Sequence, residues 1–269
     1  MKTWLRVVLG TGLALSAHAQ VILTGNSYYE SFDQLGSGLP PGWSLYENAT
    51  HSSLGHRFSF SALAASWDST AGGFKNYASA HNPGAAVGDS APRQAAYADR
   101  ALGIRQTGSF GDPGAAFVLE LANTLNCSNF RLSVDMQMLS VQPRSTVWLL
   151  DYRVGHSGDF IQFSSFTDPN QFGSRTVSLS LGDFIDNQAD AVYLRITALA
   201  TTAGSGYRDT FGIDNYTLFF TSVPEPAVGG AVVGLGLLGF AAIRCFRPRF
   251  RNMRMLGKGR MTNSWSDGL

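Results

Sequence analysis

The sequence predicts an all-β fold, an antiparallel β-sandwich or jelly roll, for residues 20–222. Residues Phe130–Met138 alternate strictly between apolar and polar side chains, which puts one face of a strand in a core and the other in water. Further apolar or alternating runs follow at short spacing, and almost no helical periodicity interrupts them. Many short strands without helices are typical of a sandwich or jelly roll, and about 200 residues suit one such domain.

The strands are predicted in chain order from these runs and from the turn residues between them. An apolar start at Val21–Leu23 and an aromatic cluster precede a turn at Pro40–Gly42 and a second short strand at Trp43. Residues 48–106, rich in Ala, Gly, Ser and Asn, predict short strands joined by long loops. Later strands are predicted at Ala115–Leu121, Phe130–Met138, Thr146–Val154, Phe160–Phe166, Arg175–Leu181, Val192–Leu199 and Phe211–Phe220.

The N-terminus has the pattern of a secretory signal peptide. Met1–Ala19 begins with basic residues, continues with an apolar stretch and ends in Ala17-His18-Ala19. This order is that of an exported precursor with an A-x-A cleavage site. We therefore expect the Sec machinery to export the chain, with cleavage between Ala19 and Gln20.

The C-terminal segment 223–251 combines three features in a fixed order. The tripeptide Pro224, Glu225 and Pro226 is followed by an uncharged apolar run, 227–243, and then by a basic cluster. As a transmembrane helix this run would be about 25 Å long, near the short limit for crossing a hydrocarbon core. The basic residues beyond it predict a cytoplasmic end, so the preceding chain is expected outside the inner membrane.

This arrangement resembles the PEP-CTERM sorting signal, which implies an exosortase-type processing enzyme as a partner. The two prolines of the tripeptide cannot donate backbone hydrogen bonds and favour extended chain, as an exposed processing site requires. The resemblance implies an inner-membrane precursor that is processed and delivered to the cell envelope or the extracellular matrix of a biofilm. The tail 252–269, expected in the cytoplasm, continues past the usual end of the signal. An ordinary single-pass anchor is the alternative interpretation.

Charge and cysteine content narrow the range of partners. Nine of the 20 basic residues and two of the 19 acidic residues lie in the terminal segments, so residues 20–222 carry 11 bases and 17 acids, a net charge of about −6. An acidic exported domain argues against nucleic acid as a partner. The predicted membrane helix separates Cys127 from Cys245, so no intramolecular disulfide is expected.

Two stretches resemble secreted jelly-roll modules. Glu30–Trp43, with its ESFD and LPPGW sequences, resembles the opening of modules distantly like concanavalin-type lectins, and Phe211–Leu218 resembles the closing strand of carbohydrate-binding jelly rolls. The main expectation is that the protein binds no cofactor. The resemblance implies calcium as the alternative, with oxygen ligands drawn from Asp33, Asp209, Asp214 and Asn215.

The sequence contains no recognisable catalytic constellation. Gly155-His156-Ser157-Gly158 is one residue short of a G-x-S-x-G nucleophile elbow, and the histidines lack H-E-x-x-H spacing. Glu30, Glu47 and Glu120 form no E-x-D-x-E run of the kind found in concanavalin-like glucanases. The protein is therefore predicted not to be an enzyme.

Two functional hypotheses follow from these observations. The principal one is a non-catalytic exported protein with a structural or adhesive role in an exopolysaccharide matrix. The alternative is a surface lectin-like module or glycan-active enzyme whose site is built from loops. Because sugar recognition uses aromatic faces and a few polar groups, Trp67 and Tyr97 are its candidate contacts, whereas Trp43 and Trp148 are assigned to the core.

Overall fold

The computed structural model describes residues 19–223, which form two β-sheets, so the all-β prediction is confirmed. The strands are β1 Ser27–Glu30, β2 Trp43–Glu47, β3 His56–Arg57, β4 Ser61–Ala65, β5 Gly73–Ala78, β6 Arg100–Arg105, β7 Ala115–Leu121, β8 Cys127–Ser140, β9 Val147–Val154, β10 Ile161–Thr167, β11 Gly173–Ser180, β12 Val192–Ala198 and β13 Thr210–Ser222. A 3-10 turn, Leu35–Ser37, and a short helix, α1 Ala91–Ala96, are the helical elements of the described region.

The larger sheet has seven strands and is organised around β13. Its order is β11-β8-β13-β6-β5-β4, and β1 also pairs with β13. On one side, successive stretches of β13 pair with β6 and β1, while β8 pairs along the other side. All of these pairs are antiparallel except β4 with β5.

The smaller sheet has six antiparallel strands in the order β10-β9-β12-β7-β2-β3. Its inner face packs on the inner face of the larger sheet, which makes the domain a β-sandwich. Trp148 on β9 stacks on Phe211 of β13 with ring centroids 4.2 Å apart, and Trp43 packs edge-on against Tyr216 at 5.0 Å. Both tryptophans are buried, as the sequence predicts.

The outer face of the smaller sheet is closed by a buried ion pair. Arg195 donates two hydrogen bonds to Asp151, of 2.8 and 2.6 Å, and the Phe160 ring lies 3.6 Å from the guanidinium carbon. The same guanidinium also donates to the carbonyl groups of Thr50 and Ser53. Because every one of these contacts is internal, this face offers no open binding surface at that point.

The strands predicted from Ala115 onward are all present, within a few residues at their ends. The first strand, β1, lies on the aromatic cluster that contains Tyr28 and Tyr29, whereas in the apolar start Val21 forms only an isolated bridge to Leu121. Helix α1 was not predicted, although its sequence carries a start signal: the Ser90 side chain accepts from the Arg93 amide, and proline follows in the first turn. Six residues are too few for a periodic pattern to reveal.

Several predictions concern residues outside the described region. They are the signal peptide up to residue 18, the tripeptide Pro224, Glu225 and Pro226, the helix 227–243, the basic cluster and the tail. At the predicted cleavage site, Ala19 is exposed, and the Gln20 side chain donates to Glu120 at 2.7 Å. Within residues 19–223, no helix has the length and hydropathy needed to cross a bilayer.

Candidate functional site

The outer face of the seven-stranded sheet is divided into a covered half and an open half. The covered half lies over β4, β5 and β6, where segment 79–97 packs on a second apolar cluster. That cluster contains Trp67, Tyr77, Ala78, Ala101 and Leu139, with Ala80, Ala85, Tyr97 and Phe172 against it. The amide of Ala80 also donates to the Gln137 side chain at 2.8 Å. Segment 79–97 therefore removes this half of the sheet from solvent.

The open half is formed by β1, β11 and the adjoining parts of β8 and β13. In the strand register, Tyr29 lies opposite Thr217, and Ser27 lies opposite Phe219. The Tyr29 side chain is 57% exposed and that of Phe219 is 49% exposed. We call this surface the open face; its outward residues are Ser27, Tyr29, Arg131, Ser133, Thr176, Ser178, Ser180, Thr217 and Phe219.

A chain of hydrogen bonds fixes the position of Tyr29 on the open face. Its hydroxyl donates to the Asn215 side chain at 2.7 Å, and that amide donates to Asp135 at 3.0 Å. Asp135 also accepts from Thr176 at 2.5 Å and contacts His81 at 3.0 Å. Partial burial, and after it the nearby carboxylates, raise the pKa of Tyr29, so the ring keeps its proton and remains a donor.

Acidic side chains meet at the border between the two halves. Asp214 is fully buried. Its carboxylate accepts from the Ser79 hydroxyl at 2.7 Å, from the Gln137 side chain at 3.1 Å and from the backbone amide of Asn215 at 2.7 Å. The Asp99 carboxyl group lies close enough for each of the two groups to affect the pKa of the other. Burial, and after it the charge of Asp99, raise the pKa of Asp214 to about 8, so this carboxyl group is mostly protonated at neutral pH.

The four calcium-ligand candidates are divided between two places. Asp33, whose carboxylate accepts from the Arg100 amide at 3.0 Å, lies near Asp214 and Asn215 at the border. Asp209 lies elsewhere, beside Asp168, and burial, with the charge of Asp168 adding to it, raises its pKa to about 8. Residues 19–223 contain no group of three His, Cys, Asp or Glu side chains arranged to hold a metal ion. Calcium stays a prediction, and Asp209 cannot share one ion with the other three.

The two predicted glycan contacts both lie in the covered half. Trp67 is 3% exposed, and its indole donates to the Ala78 carbonyl at 2.8 Å. The Tyr97 hydroxyl accepts from Arg93 and donates to Asp89, both at 2.9 Å. Trp67 lines a groove of about 500 Å³ beneath α1, but its small exposed fraction leaves little ring surface for a sugar.

The carboxylates of this groove do not form an acid and base pair for glycoside hydrolysis. Burial favours a higher pKa for Asp89, but hydrogen bonds from the Ala86 amide and the Tyr97 hydroxyl, together with the Arg93 charge, lower its pKa overall. The other carboxylate lining the groove, Asp68, accepts from Ser66. A general acid requires a raised pKa, and Asp89 has the opposite shift.

Sequence reasoning missed the two exposed aromatic residues of the open face. Tyr29 lies in the Tyr-Tyr pair of the first strand, and Phe219 lies in the Phe-Phe pair of the last. In a strand, one member of such a pair must point away from the core, which was the available signal. Which member points outward depends on the strand register, and the bulge in β13 between Asp214 and Thr217 sets it there.

Comparison with known proteins gives distant structural likenesses alone. No known family profile and no curated protein matches the chain. The xylan-binding CBM22-1 domain of Paenibacillus barcinonensis Xyn10C is 11% identical over 73% of this chain and 94% of its own, with a TM-score of 0.41. The C-terminal family 22 carbohydrate-binding module of Clostridium thermocellum Xyn10B is 13% identical over 75% of this chain and 97% of its own, with a TM-score of 0.37.

Part of a larger enzyme shows a similar degree of likeness. The arabinose-bound α-L-arabinofuranosidase MgGH51 is 14% identical over 46% of this chain, with a TM-score of 0.35, and the match spans a fifth (20%) of that enzyme. At such values these likenesses carry no argument about ligand or activity. The concanavalin-like subdivision of the sandwich also stays a prediction.

Proposed function

We propose that this protein is an exported, non-catalytic glycan-binding component of an extracellular polysaccharide matrix, and that it binds through the open face. One observation carries the proposal: Tyr29 and Phe219 are large exposed aromatic side chains on the same face of neighbouring strands, surrounded by hydroxyl groups. A soluble domain gains nothing in stability from leaving two such rings in water.

The geometry of the open face suits an extended sugar chain. Tyr29 lies opposite Thr217, two residues from Phe219 on the same strand, so the two rings are diagonal neighbours at about 7–8 Å. Aromatic rings cover the apolar C–H faces of sugars, and hydroxyl groups bind at the edges. Ser133 and Ser178, whose hydroxyl oxygens lie 3.2 Å apart, and Arg131 supply such polar groups on the adjacent strands.

The predicted terminal signals supply the location for this binding activity. Export by the Sec machinery, insertion into the inner membrane by 227–243 and processing by an exosortase at Pro224, Glu225 and Pro226 would deliver the domain to the cell envelope. An acidic domain in that location encounters polysaccharide rather than nucleic acid. A glycan-active enzyme is the weaker alternative, because neither the groove beneath α1 nor the open face combines a raised-pKa carboxyl group with an accessible partner.

The binding proposal is tested with the full chain in a non-ionic detergent and a panel of immobilised neutral and acidic polysaccharides, with and without a calcium chelator. Tyr29→Ala and Phe219→Ala should each weaken binding at least about tenfold, since a sugar–aromatic contact is expected to contribute about 1.4 kcal/mol. The matched control is Phe184→Ala, a ring 56% exposed away from the open face. Unchanged binding by both variants would exclude the open face.

The sorting part of the proposal has a separate test. Replacing Pro224, Glu225 and Pro226 together by alanine should leave an unprocessed precursor in the inner membrane, whereas the unaltered chain should be shortened near the tripeptide. Mass spectrometry of the C-terminus in membrane and extracellular fractions measures both outcomes. A full-length unaltered chain that persists in the inner membrane would contradict exosortase sorting and leave the glycan proposal standing.

A further inference from the structure

A second concave surface, distinct from the open face, collects two arginines and a tyrosine. It is a pocket of about 340 Å³ beside the start of β13, lined by Thr70, Arg105, Gln106, Thr107, Gly206, Tyr207 and Arg208. Tyr207 is 65% exposed and is the most exposed tyrosine in residues 19–223. Neither the open face nor the covered half uses this pocket.

Arg105 is a buried cation without a matching anion. Its residue is 3% exposed, and one of its guanidinium nitrogens donates to the Thr210 hydroxyl at 2.9 Å. That hydroxyl donates to the Trp67 carbonyl at 2.7 Å, which fixes the group in place. Among the described residues, no carboxylate lies within ion-pair distance of Arg105, and its other guanidinium nitrogens make no hydrogen bond to the protein. Burial lowers the pKa of Arg105, so an anion entering the pocket would relieve an unfavourable charge.

Arg208 supplies a second guanidinium with unused donors. Its Nε donates to Asp112, which also accepts from Thr202 and lies 3.8 Å from Arg144. Arg208 and Arg144 thus share the single carboxylate of Asp112, so this side of the pocket keeps a net positive charge. The Nη donors of Arg208 have no partner among the described residues.

The groups around Arg105 do not cancel its charge. Lys75 adds a positive charge nearby, while Asp68 and Asp209 are the neighbouring carboxyl groups. Burial, with the charge of Asp168 adding to it, raises the pKa of Asp209 to about 8, so Asp209 is mostly protonated at neutral pH. The pair therefore carries about one negative charge at neutral pH instead of two, and the surroundings of the pocket remain positive.

We propose that this pocket binds the carboxylate of a uronic acid residue in an acidic polysaccharide. Guanidinium groups match the planar carboxylate with paired hydrogen bonds, and Arg105 and Arg208 both offer free donors. The exposed Tyr207 ring beside them supplies an apolar face for the sugar ring that carries the carboxylate. The pocket thus selects an acidic sugar, whereas the open face requires none.

The test measures binding of a trigalacturonate probe to the full chain in detergent by calorimetry, beside its neutral methyl ester and inorganic phosphate. The acid should bind, and the ester should bind at least about tenfold more weakly. Added salt should weaken the binding of the acid, because it screens the charges. Equal binding of acid and ester would overturn the proposal. Phosphate binding as tight as that of the acid would also overturn it, because the pocket would then be a general anion site.

Variants assign the binding to this pocket. Tyr207→Ala, on an exposed side chain, and Arg208→Gln, on a side chain that is 15% exposed, should each weaken trigalacturonate binding at least about tenfold, and so should Arg105→Gln if it folds. Arg175→Gln and Phe184→Ala are the matched charge and aromatic controls, because both residues are exposed elsewhere. Loss of trigalacturonate binding in Tyr29→Ala but not in Tyr207→Ala would place the acid on the open face and contradict the pocket.

Discussion

The two halves of the outer face of the seven-stranded sheet have the same alternating strand pattern, but one half is buried and the other is exposed to solvent. In the covered half, Leu139 and Tyr77 point away from the main core, and segment 79–97 buries them in a second apolar cluster. In the open half, Tyr29 and Phe219 also point away from the core, and no described segment covers them. Strands β8 and β13 pass through both halves, so the difference arises from the segment above the sheet.

This difference separates residues that stabilise the fold from residues that remain available for a ligand. An outward aromatic residue with a cover contributes burial and hydrogen bonds, as Trp67 does with the Ala78 carbonyl. An outward aromatic residue without a cover contributes little to folding. The comparison therefore predicts opposite effects on stability and binding when matched residues of the two halves are truncated.

The largest expected effect on stability is that of Trp67→Ala in the covered half. The substitution removes a ring that is 3% exposed and packs on Phe172 at a centroid distance of 5.1 Å. Burial of this size predicts a loss of about 3–5 kcal/mol in the free energy of unfolding, measured by urea denaturation. A loss below about 1 kcal/mol would mean that the covered half is not a true second core.

The sequence predicts the covered and open halves unequally. The alternation through Phe130–Met138 correctly places Ser133 and Asp135 on the outer face, because period-two patterning depends only on local sequence. It cannot show that segment 79–97 folds over half of that face, since this depends on contacts such as the one from Ala80 to Gln137, 57 residues apart.

The same limit applies to the candidate site. The resemblance to jelly rolls predicts Asp214 and Asn215 as site residues, and both lie at the border of the two halves. Their partners Ser79 and Asp135 come from distant strands, and no local spacing identifies them. Asp209 has the right residue type, yet its position at the start of β13 puts it beside Asp168 instead.

The second effect is a loss of stability with rising pH, because carboxyl pairs hold protons in the folded state. Burial raises the pKa of Asp214 and of Asp209 to about 8, whereas the unfolded chain releases both protons near pH 4. Between these values the folded state binds more protons than the unfolded chain, so the free energy of unfolding falls as the pH rises. The contribution is complete below pH 4 and lost by pH 8.

Thermal unfolding from pH 5 to pH 8.5 measures this dependence, and the variants locate it. Asp214→Asn should make the curve less steep, because the amide needs no proton to lie beside Asp99, while the contribution of Asp209 remains. The control Asp190→Asn changes an exposed carboxylate and should leave the slope as it is. If Asp214→Asn keeps the full slope, the border pair does not hold the proton.

The smallest expected effect on stability is that of Tyr29→Ala. The effect should be small because no segment covers this outward ring, in contrast to Trp67 in the covered half. The ring is 57% exposed, and the lost hydrogen bond leaves the Asn215 oxygen where water can replace the hydroxyl. A change within about 0.5 kcal/mol is expected in the same urea measurement that detects the loss in Trp67→Ala. If Tyr29→Ala instead destabilised the domain as much as Trp67→Ala, the exposed rings would be structural and the open face would have no spare aromatic surface. A near-neutral stability together with weakened polysaccharide binding would separate the two halves by role, because an outward aromatic side chain then contributes to folding only where a segment covers it.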